Sequence, residues 1–350
     1  METNGTHHPP ARARRPRSSM REVADRAGVA LSTVSRVLSG HPDVSEGMRD
    51  RVLAAVAELG YQPNFLARSL RRQETLTVGF VVADISNPLF AEIAKAAETA
   101  LRDAGYLMLL TNSESDPELD VTHIRLFDQR RVDGLIISLA REGHEPTLGL
   151  LRELELPLVV LDREVGPEVG ASRVLSDHRS GMRDALRHLV ELGHRRIGVV
   201  LGQPVRATVE RRAALAEAAD ELGLPRDAFR VLETGGYHAA ATRAALASLL
   251  DAPSPPTAIV VGANPVVASA LVELADRGLV LGRDLSLVTC DEVDVNVVHR
   301  PPVAVVRRDT AEIGRVAASL LLERLRGEPP RDVVLPTTFL PRASCGPPAA

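Results

Sequence analysis

Apolar residues in the first 60 positions recur at the spacing of short helices. A capping box, Ser19-Met20-Arg21-Glu22, predicts the start of a first helix, and Gly28 predicts its end. Residues 34–38 carry a second apolar stripe, and residues 45–60 carry a third at helical spacing. The pattern therefore predicts three short helices around one small core.

From Leu76 onward, short apolar runs alternate with longer amphipathic stretches. One of these stretches, Phe90 to Ala104, predicts a helix that Gly105 closes. Runs rich in Val, Ile and Leu predict buried strands at residues 77–83, 107–110, 135–138, 158–161, 197–201, 258–261 and 285–289. Strands that alternate with helices in this way are typical of a parallel α/β architecture.

The second predicted helix has a polar outer face beside its apolar stripe. Ser32, Thr33, Ser35 and Arg36 lie outside that stripe and form a small, basic surface. In a helix-turn-helix, the second helix lies in the major groove and the first crosses the DNA backbone. The N-terminal segment therefore follows the plan of a DNA-binding domain, but glycine-centred turns between helices are also common in proteins that do not bind DNA.

Two runs of letters in this segment carry a family resemblance. AGVALSTVSRVLSG and GYQPNFLARSL resemble the DNA-binding headpiece of the lactose repressor/galactose repressor family, and VADISNPLFAEI, RRVDGLII, LVVLDR and ELGHRRIGVV extend the resemblance across the core. It implies an all-α helix-turn-helix headpiece with a hinge helix, followed by a type I periplasmic-binding-protein-like α/β core. In that core a ligand cleft separates two parallel-sheet subdomains.

Composition and resemblance together divide the chain. We expect a disordered Arg- and Pro-rich tail (1–18), a helix-turn-helix domain (19–62), a hinge helix and linker (63–75), a core (76–345) and a short tail (346–350). The core is expected to form subdomain 1 from residues 76–162 and 293–326, and subdomain 2 from residues 163–292 and 327–345. The chain would then cross between subdomains near Asp162, Val293 and Gly327.

The resemblance also assigns DNA contacts in the headpiece. Leu31, Ser32 and Arg36 match base-reading positions, whereas Thr33 and Ser35 are expected to bind phosphates. The Arg36 fork suits guanine, and an apolar side chain such as Leu31 suits a thymine methyl group. Alanine at position 30 replaces the family's usual serine cap of this helix.

The hinge supplies the remaining expected DNA contacts, Asn64, Ala67 and Leu70. Asn64 can cap a short helix from Phe65 to Leu70. In the family, a leucine that matches Leu70 enters the minor groove and kinks the duplex at the central base step. The resemblance thus predicts DNA bending through Leu70.

The charge distribution agrees with DNA binding at one end of the chain. Residues 1–72 hold 12 arginines and seven acidic residues, whereas the whole chain has a net charge of −4. Such asymmetry is expected when one domain contacts phosphates. No apolar run reaches the length of about 18 residues that a membrane helix needs, and we expect a cytoplasmic protein without membrane contact. Two isolated cysteines predict neither a disulfide framework nor a metal site, and we expect no cofactor.

Polar side chains follow the predicted strands of the core, where ligands of open α/β sheets bind. The family's ligand positions or their neighbours correspond to Asp84, Asn87, Phe90, Arg163, Arg211, Tyr237, Asn264 and Asp291. Carboxylates and guanidinium groups can hold hydroxyls, and an aromatic ring can stack on a sugar face. We therefore expect a small polar effector, a sugar or a related metabolite. Pro265 replaces the aspartate that the family usually carries after Asn264, so the pocket departs from the standard sugar pocket.

Three functional hypotheses follow. The first is a DNA-binding transcriptional regulator, usually a repressor in this family, that binds double-stranded operator DNA as a homodimer, since one recognition helix reads one half-site. The second is a solute-binding protein of a transport system, against which the headpiece and the missing export signal argue. The third is an enzyme that acts on a polyol or nucleoside. Ser176, Asp177 and His178 are adjacent, which is the wrong arrangement for a catalytic triad, so we expect no catalytic residues.

Overall fold

The computed structural model describes residues 18–38, 41, 43–61 and 74–349 of the chain. Its contacts divide the protein into two units, Met1–Thr75 and Leu76–Ala350. Each unit has its own apolar core. Within the described part of the chain, no helix is both long and apolar enough to cross a membrane.

The described part of the headpiece contains three helices, α1 (Met20–Ala27), α2 (Leu31–Leu38) and α3 (Glu46–Leu59). The predicted capping box is confirmed, because Ser19 Oγ accepts from Glu22 N at 3.2 Å and Ser19 N donates to Glu22 Oε2 at 2.5 Å. Gly28 ends α1 with a φ of 63°, in the left-handed region where other residues are strained. The predicted three-helix arrangement is therefore present.

The apolar stripes of the three helices meet in one core. Val23, Val34 and Val52, one from each helix, are fully buried and pack with their apolar neighbours and Tyr61. One face of α2 packs against this core, and the opposite face stays accessible to solvent.

The first subdomain has a six-stranded sheet. Its strands are β1 (Thr77–Val82), β2 (Leu107–Asn112), β3 (Gly134–Ile137), β4 (Leu158–Leu161), β5 (Ser172–Asp177) and β11 (Asp332–Pro336). They lie in the order β11-β5-β4-β3-β1-β2, and all their pairings are parallel.

Helices cover both faces of this sheet. On one face lie α4 (Pro88–Asp103) and α12 (Thr310–Leu325), and on the other α5 (Pro117–Gln129) and α6 (Glu145–Glu153). Helices α4 and α12 approach closely at Gly314, where an added Cβ would lie 2.4 Å from the Ile93 carbonyl oxygen.

The second subdomain repeats this plan. Its strands are β6 (Ile197–Leu201), β7 (Phe229–Glu233), β8 (Ala258–Val261), β9 (Ser286–Cys290), β10 (Ala304–Arg307) and β12 (Thr338–Leu340), in the order β12-β10-β9-β8-β6-β7. Its helices are α7 (His178–Glu191), α8 (Arg206–Glu221), α9 (Ala239–Leu250), α10 (Val267–Asp276) and α11 (Asp294–Val298). The edge strand β12 is antiparallel to β10. This sheet is therefore mixed, whereas the sequence predicted a parallel sheet.

The crossings between subdomains differ from the predicted positions. Strand β5 pairs with β4 and β11 in the first sheet, and β10 pairs with β9 in the second. The chain therefore crosses after Asp177, after Arg307 and at Thr337, rather than near Asp162, Val293 and Gly327. The prediction was wrong because it did not include β5, β10, β11 and β12, which are short or rich in polar residues.

Each predicted tail includes a residue that belongs to the folded part of the chain. Ser18, which was assigned to the N-terminal tail, donates from Oγ to the Leu59 carbonyl at 2.7 Å. Gly346, which was assigned to the C-terminal tail, donates from N to Ser286 Oγ at 3.0 Å, and its carbonyl lies 2.9 Å from His194 Nε2. The buried polar groups of Ser286 and His194 need these partners, so the core extends through Gly346.

Candidate functional site

Helix α2 carries the predicted DNA contacts on the side away from the headpiece core. Val34 and Val37 are buried, whereas Ser32 and Arg36 are exposed. Leu31 begins the helix outside the apolar core and is 47% exposed. Thr33 and Ser35 are partly exposed on the same helix. This surface offers donors, acceptors and one apolar side chain to a major groove.

The start of α2 lacks a side-chain cap at position 30. The Ala30 carbonyl accepts from Thr33 N at 2.9 Å and from Val34 N at 3.2 Å. These backbone bonds start the helix, but alanine has no side-chain oxygen to accept from the first turn. The predicted hinge contacts Asn64, Ala67 and Leu70 lie outside the described residues.

One cavity between the two subdomains contains every predicted effector residue. Its volume is about 70 Å³. The lining includes Asp84, Asn87, Phe90, Arg163, Arg211, Tyr237, Asn264 and Asp291, together with Asp162, Gln203 and Arg308. Most of these residues closely follow the carboxyl ends of β1, β4, β8 and β9, as expected for a ligand site in facing α/β sheets.

Arg308 joins two carboxylates in this cavity. Its Nε and Nη2 donate to Asp291 at 2.6 and 2.9 Å, and its Nη1 donates to Asp162 Oδ2 at 2.7 Å. Asp162 follows β4 and Asp291 follows β9, so one guanidinium group connects the two sheets. Both aspartates have left-handed backbones, with φ of 47° and 65°. Asp tolerates this conformation better than most residues.

Charge and burial set the ionisation of these side chains. Burial opposes the charge on Asp162, but His178, Arg308 and Arg163 outweigh it and hold the pKa of the carboxyl well below its ordinary value. Burial likewise opposes the charge on Asp291, and Arg308 and Arg211 lower its pKa. Both carboxylates are therefore ionised at neutral pH.

The buried side chain of His178 contacts the carboxylate of Asp162. Its Nε2 is 2.9 Å from Asp162 Oδ2, and the ionised carboxylate requires that Nε2 carry the proton. Burial lowers the pKa of His178, in spite of the attraction of Asp162, because the ring is 1% exposed. Its buried Nδ1 has no hydrogen-bond partner among the residues that the structure describes.

Two further arginines line the cavity. Arg163 donates through Nε to the Leu139 carbonyl and through Nη1 to the Asp162 carbonyl, both at 2.9 Å. Arg211 donates through Nη1 to the Gly262 carbonyl at 2.6 Å, and its Nη2 lies 3.4 Å from Asp291 Oδ2. Within the described part of the chain, the buried Arg211 Nε has no hydrogen-bond partner.

Direct contacts also connect the two subdomains. Asn264 Nδ2 donates to Asn87 Oδ1 at 2.7 Å, and both residues line the cavity. Arg206 Nε donates to Glu164 Oε1 at 2.8 Å, and Arg206 N donates to the carboxylate of Glu142 at 3.0 Å. The side chain of Arg206 is 9% exposed, whereas that of Glu164 is 54% exposed.

A second, larger pocket adjoins the cavity. It has a volume of about 780 Å³, within the range of small-molecule sites. Asn87, Leu89, Asn264, Pro265, Asp291 and Arg308 line both spaces. The two spaces therefore adjoin between the subdomains.

Sequence reasoning did not find Arg308 or Gln203. Arg308 directly follows β10, a four-residue strand that was not predicted, so the rule that ligands bind beyond strand ends was not applied to it. Recognition of AVVR as a strand would have placed Arg308 among the candidates. Gln203 follows β6 by two residues and satisfied the rule, but it was not selected.

Comparisons with known proteins agree with both parts of the molecule. Residues 19–64 match the family described as bacterial regulatory proteins, lacI family, and residues 186–345 match a periplasmic binding protein-like domain. The HTH-type transcriptional repressor CytR of Escherichia coli (strain K12) is 31% identical over 312 residues, which cover 89% of this chain and 91% of CytR. The chain belongs to the lacI family of bacterial regulatory proteins.

Solved structures of proteins that are similar to this lacI family regulator extend the comparison. The transcriptional regulator CelR in complex with cellobiose is 31% identical, covers 94% of this chain and 100% of its own, and has a TM-score of 0.69. The lac repressor dimer bound to operator and the anti-inducer ONPF has a TM-score of 0.83 at 24% identity, over 94% of this chain and 99% of its own, and shows the shared fold. This protein is a DNA-binding transcriptional regulator with a ligand-binding core.

Proposed function

We propose that this regulator represses transcription by binding a pseudo-palindromic operator as a homodimer, and that a small polar metabolite in the cavity between its subdomains controls this binding. The observation that carries the proposal is the meeting of all eight predicted effector residues in one cavity. They come from distant parts of the sequence, so their convergence is a property of the fold. The operator and the effector would be linked reciprocally.

The DNA-binding part of the proposal rests on α2. Leu31, Ser32 and Arg36 would contact base edges, and Thr33 and Ser35 would contact phosphates. Asn64, Ala67 and Leu70 of the hinge remain proposed contacts from the sequence. A three-helix unit of this size reads one half-site, which favours a two-fold symmetric dimer on a two-fold symmetric operator.

The surface we propose for dimerisation includes strand β2. This strand lies at one edge of the first sheet and exposes two leucines, Leu107 by 60% and Leu110 by 39%. An edge strand with exposed leucines is a hazard for aggregation unless another chain covers it. A second copy of the chain would bury these side chains.

The effector we propose is a sugar or a related metabolite. The relative solved with cellobiose supports a carbohydrate-like class. Asp162, Asp291 and Arg308 offer the charged acceptors and donors that hydroxyl groups bind, and Tyr237 offers an aromatic face. Because the chain binds DNA, we place it in the cytoplasm, and we assign it no catalytic role.

Two experiments test the proposal. A gel-shift titration of the purified protein on its own upstream DNA should give a selective, salt-dependent complex, with scrambled DNA as the control. A thermal-shift screen with sugars, nucleosides and small acids should then find a stabilising ligand, since a ligand of the folded state raises stability by mass action. Absence of selective DNA binding would contradict the proposal.

A further inference from the structure

The charged groups buried in the inner cavity are not evenly matched. Arg163 and Arg211 are 9% and 5% exposed, and the side chain of Arg308 is also 9% exposed. Two buried carboxylates, Asp162 and Asp291, face these three guanidinium groups, and Arg308 forms short bonds to both of them. Three guanidinium groups against two carboxylates leave one positive charge in excess, and Arg308 takes the short bonds to both carboxylates.

Arg163 and Arg211 can each donate to a further acceptor. Arg163 forms its hydrogen bonds with main-chain carbonyl oxygens and not with a carboxylate. Arg211 donates to the Gly262 carbonyl at 2.6 Å, its contact with the Asp291 carboxylate is long at 3.4 Å, and its buried Nε has no acceptor among the described residues. A buried donor without an acceptor is costly, and a charged acceptor would relieve that cost most strongly.

The nearby carboxylates do not replace such an acceptor. Asp120 lies near Arg163, but its Oδ2 accepts from Ala140 N at 2.8 Å, and burial raises the pKa of this carboxyl. Asp84 lies at the rim and accepts from the backbone and the hydroxyl of Ser86. An anion from outside the chain fits the two arginines better than either residue does.

The shape of the site limits how such an anion can be presented. A volume of about 70 Å³ at the arginines accommodates a small group, whereas the adjoining pocket of about 780 Å³ accommodates a larger body. The larger pocket is lined by acceptors for hydroxyl groups, namely Glu92, Glu292, Asp294 and Asp309. An acidic group at one end of a hydroxylated molecule matches both spaces.

We propose that the effector is an anionic, hydroxylated metabolite, a sugar carboxylate or a sugar phosphate. Its anionic group binds Arg163 and Arg211 in the inner cavity, and its hydroxylated body occupies the larger pocket. This inference rests on the proposed effector site and adds the chemical class of the ligand.

The test compares matched compounds by thermal shift of the full-length protein at constant ionic strength. The compounds are gluconate, glucose 6-phosphate, glucose and glucosamine, with acetate, inorganic phosphate and neutral acetamide as probes of the anionic group alone. At about a hundredfold excess over Kd, an anionic sugar should raise the Tm by about 5 °C or more. Gluconate and glucose 6-phosphate separate the carboxylate from the phosphate.

Variants locate the binding. Arg163→Gln and Arg211→Gln should each weaken the anion at least tenfold, whereas Arg212→Gln should not, because Arg212 pairs with Glu233 on the surface. The wild-type comparison of acetate with acetamide needs no variant, so a misfolded variant leaves the test intact. Stabilisation by glucose or glucosamine equal to that by the acids would overturn the inference, and so would the failure of every anion to stabilise the wild type. Failure of the proposed function itself would appear separately, as loss of selective operator binding.

Discussion

The Nη1 atom of Arg308 donates to Asp162 Oδ2 at 2.7 Å and so connects the end of β10 in the second sheet to the end of β4 in the first. The same guanidinium group donates twice to Asp291. This contact between subdomains lies inside the proposed effector cavity, and we therefore expect a bound ligand to affect the relative position of the two subdomains.

Arg308→Met should therefore destabilise the core. The change would leave Asp162 and Asp291 buried without their shared partner, and loss of one member of a buried ion pair costs about 3 to 5 kcal/mol. Urea unfolding followed by circular dichroism measures the loss. Arg283→Met is the control, because Arg283 is exposed and pairs with its neighbour Asp284. Equal stability of Arg308→Met and the wild type would contradict the described network.

The stability of the core should fall as the pH drops below about 6.5. Burial lowers the pKa of both His178 and His194 from an ordinary value of 6.5, so the unfolded chain takes up protons that the folded chain does not. Stability is then lost as the pH falls from that value through the lowered pKa. Urea midpoints between pH 8 and pH 5 test this, and a constant midpoint would rule it out.

The aspartates of the cavity should respond at lower pH. The pKa values of Asp162 and Asp291 lie below the ordinary 3.8, so their stabilising contribution is present above that value and is lost as the pH falls through the folded pKa. Asp291→Asn should reduce the acid sensitivity of unfolding below pH 4. An equal dependence of unfolding on pH below pH 4 in the variant and the wild type would contradict the lowered pKa of Asp291.

The sequence allowed local features to be predicted better than distant ones. The capping box at Ser19 and Glu22 and the turn at Gly28 depend on neighbouring residues, and both are present. The apolar run Leu158–Leu161 needs no partner to be recognised as a strand. Such features follow from backbone geometry and local hydrogen bonding.

Other features depend on contacts far along the chain. Arg308 and Asp162 are 146 positions apart in the sequence, and no local pattern near either residue predicts their contact. The short strand Ala304–Arg307 is recognisable only once its neighbour β9 is known. The eight effector candidates were found because strand ends and family resemblance both mark them, although their mutual bonds could not be predicted.

Arg36→Ala should weaken operator binding. Loss of a bidentate contact with guanine costs about 1 to 3 kcal/mol and relaxes specificity at one base pair. Fluorescence anisotropy at fixed salt measures the change. Arg26→Ala is the matched control, since Arg26 pairs with Glu58 on another surface of the headpiece. Equal losses for the two variants would show only a general effect of charge.

Leu107→Asp should disrupt the proposed dimer. The change places a charge on the exposed edge strand β2, where a partner would bury the leucine. Sedimentation velocity should show a shift from dimer to monomer, together with weaker binding to a two-half-site operator. Val272→Asp, at an exposed position on α10 in the other subdomain, is the control. A dimer that persists in Leu107→Asp would place the interface elsewhere.

Coupling between the cavity and the operator is the central claim, and operator affinity in the presence of a cavity ligand tests it most directly. The ligand is the compound that gives the largest thermal shift in the screen, and the assay is fluorescence anisotropy with wild type and Arg211→Gln. The account predicts that the ligand changes wild-type affinity by at least about fivefold, the lower end of typical allosteric coupling, and that the variant loses this response. Equal operator affinities of the wild type with and without the bound ligand would contradict it.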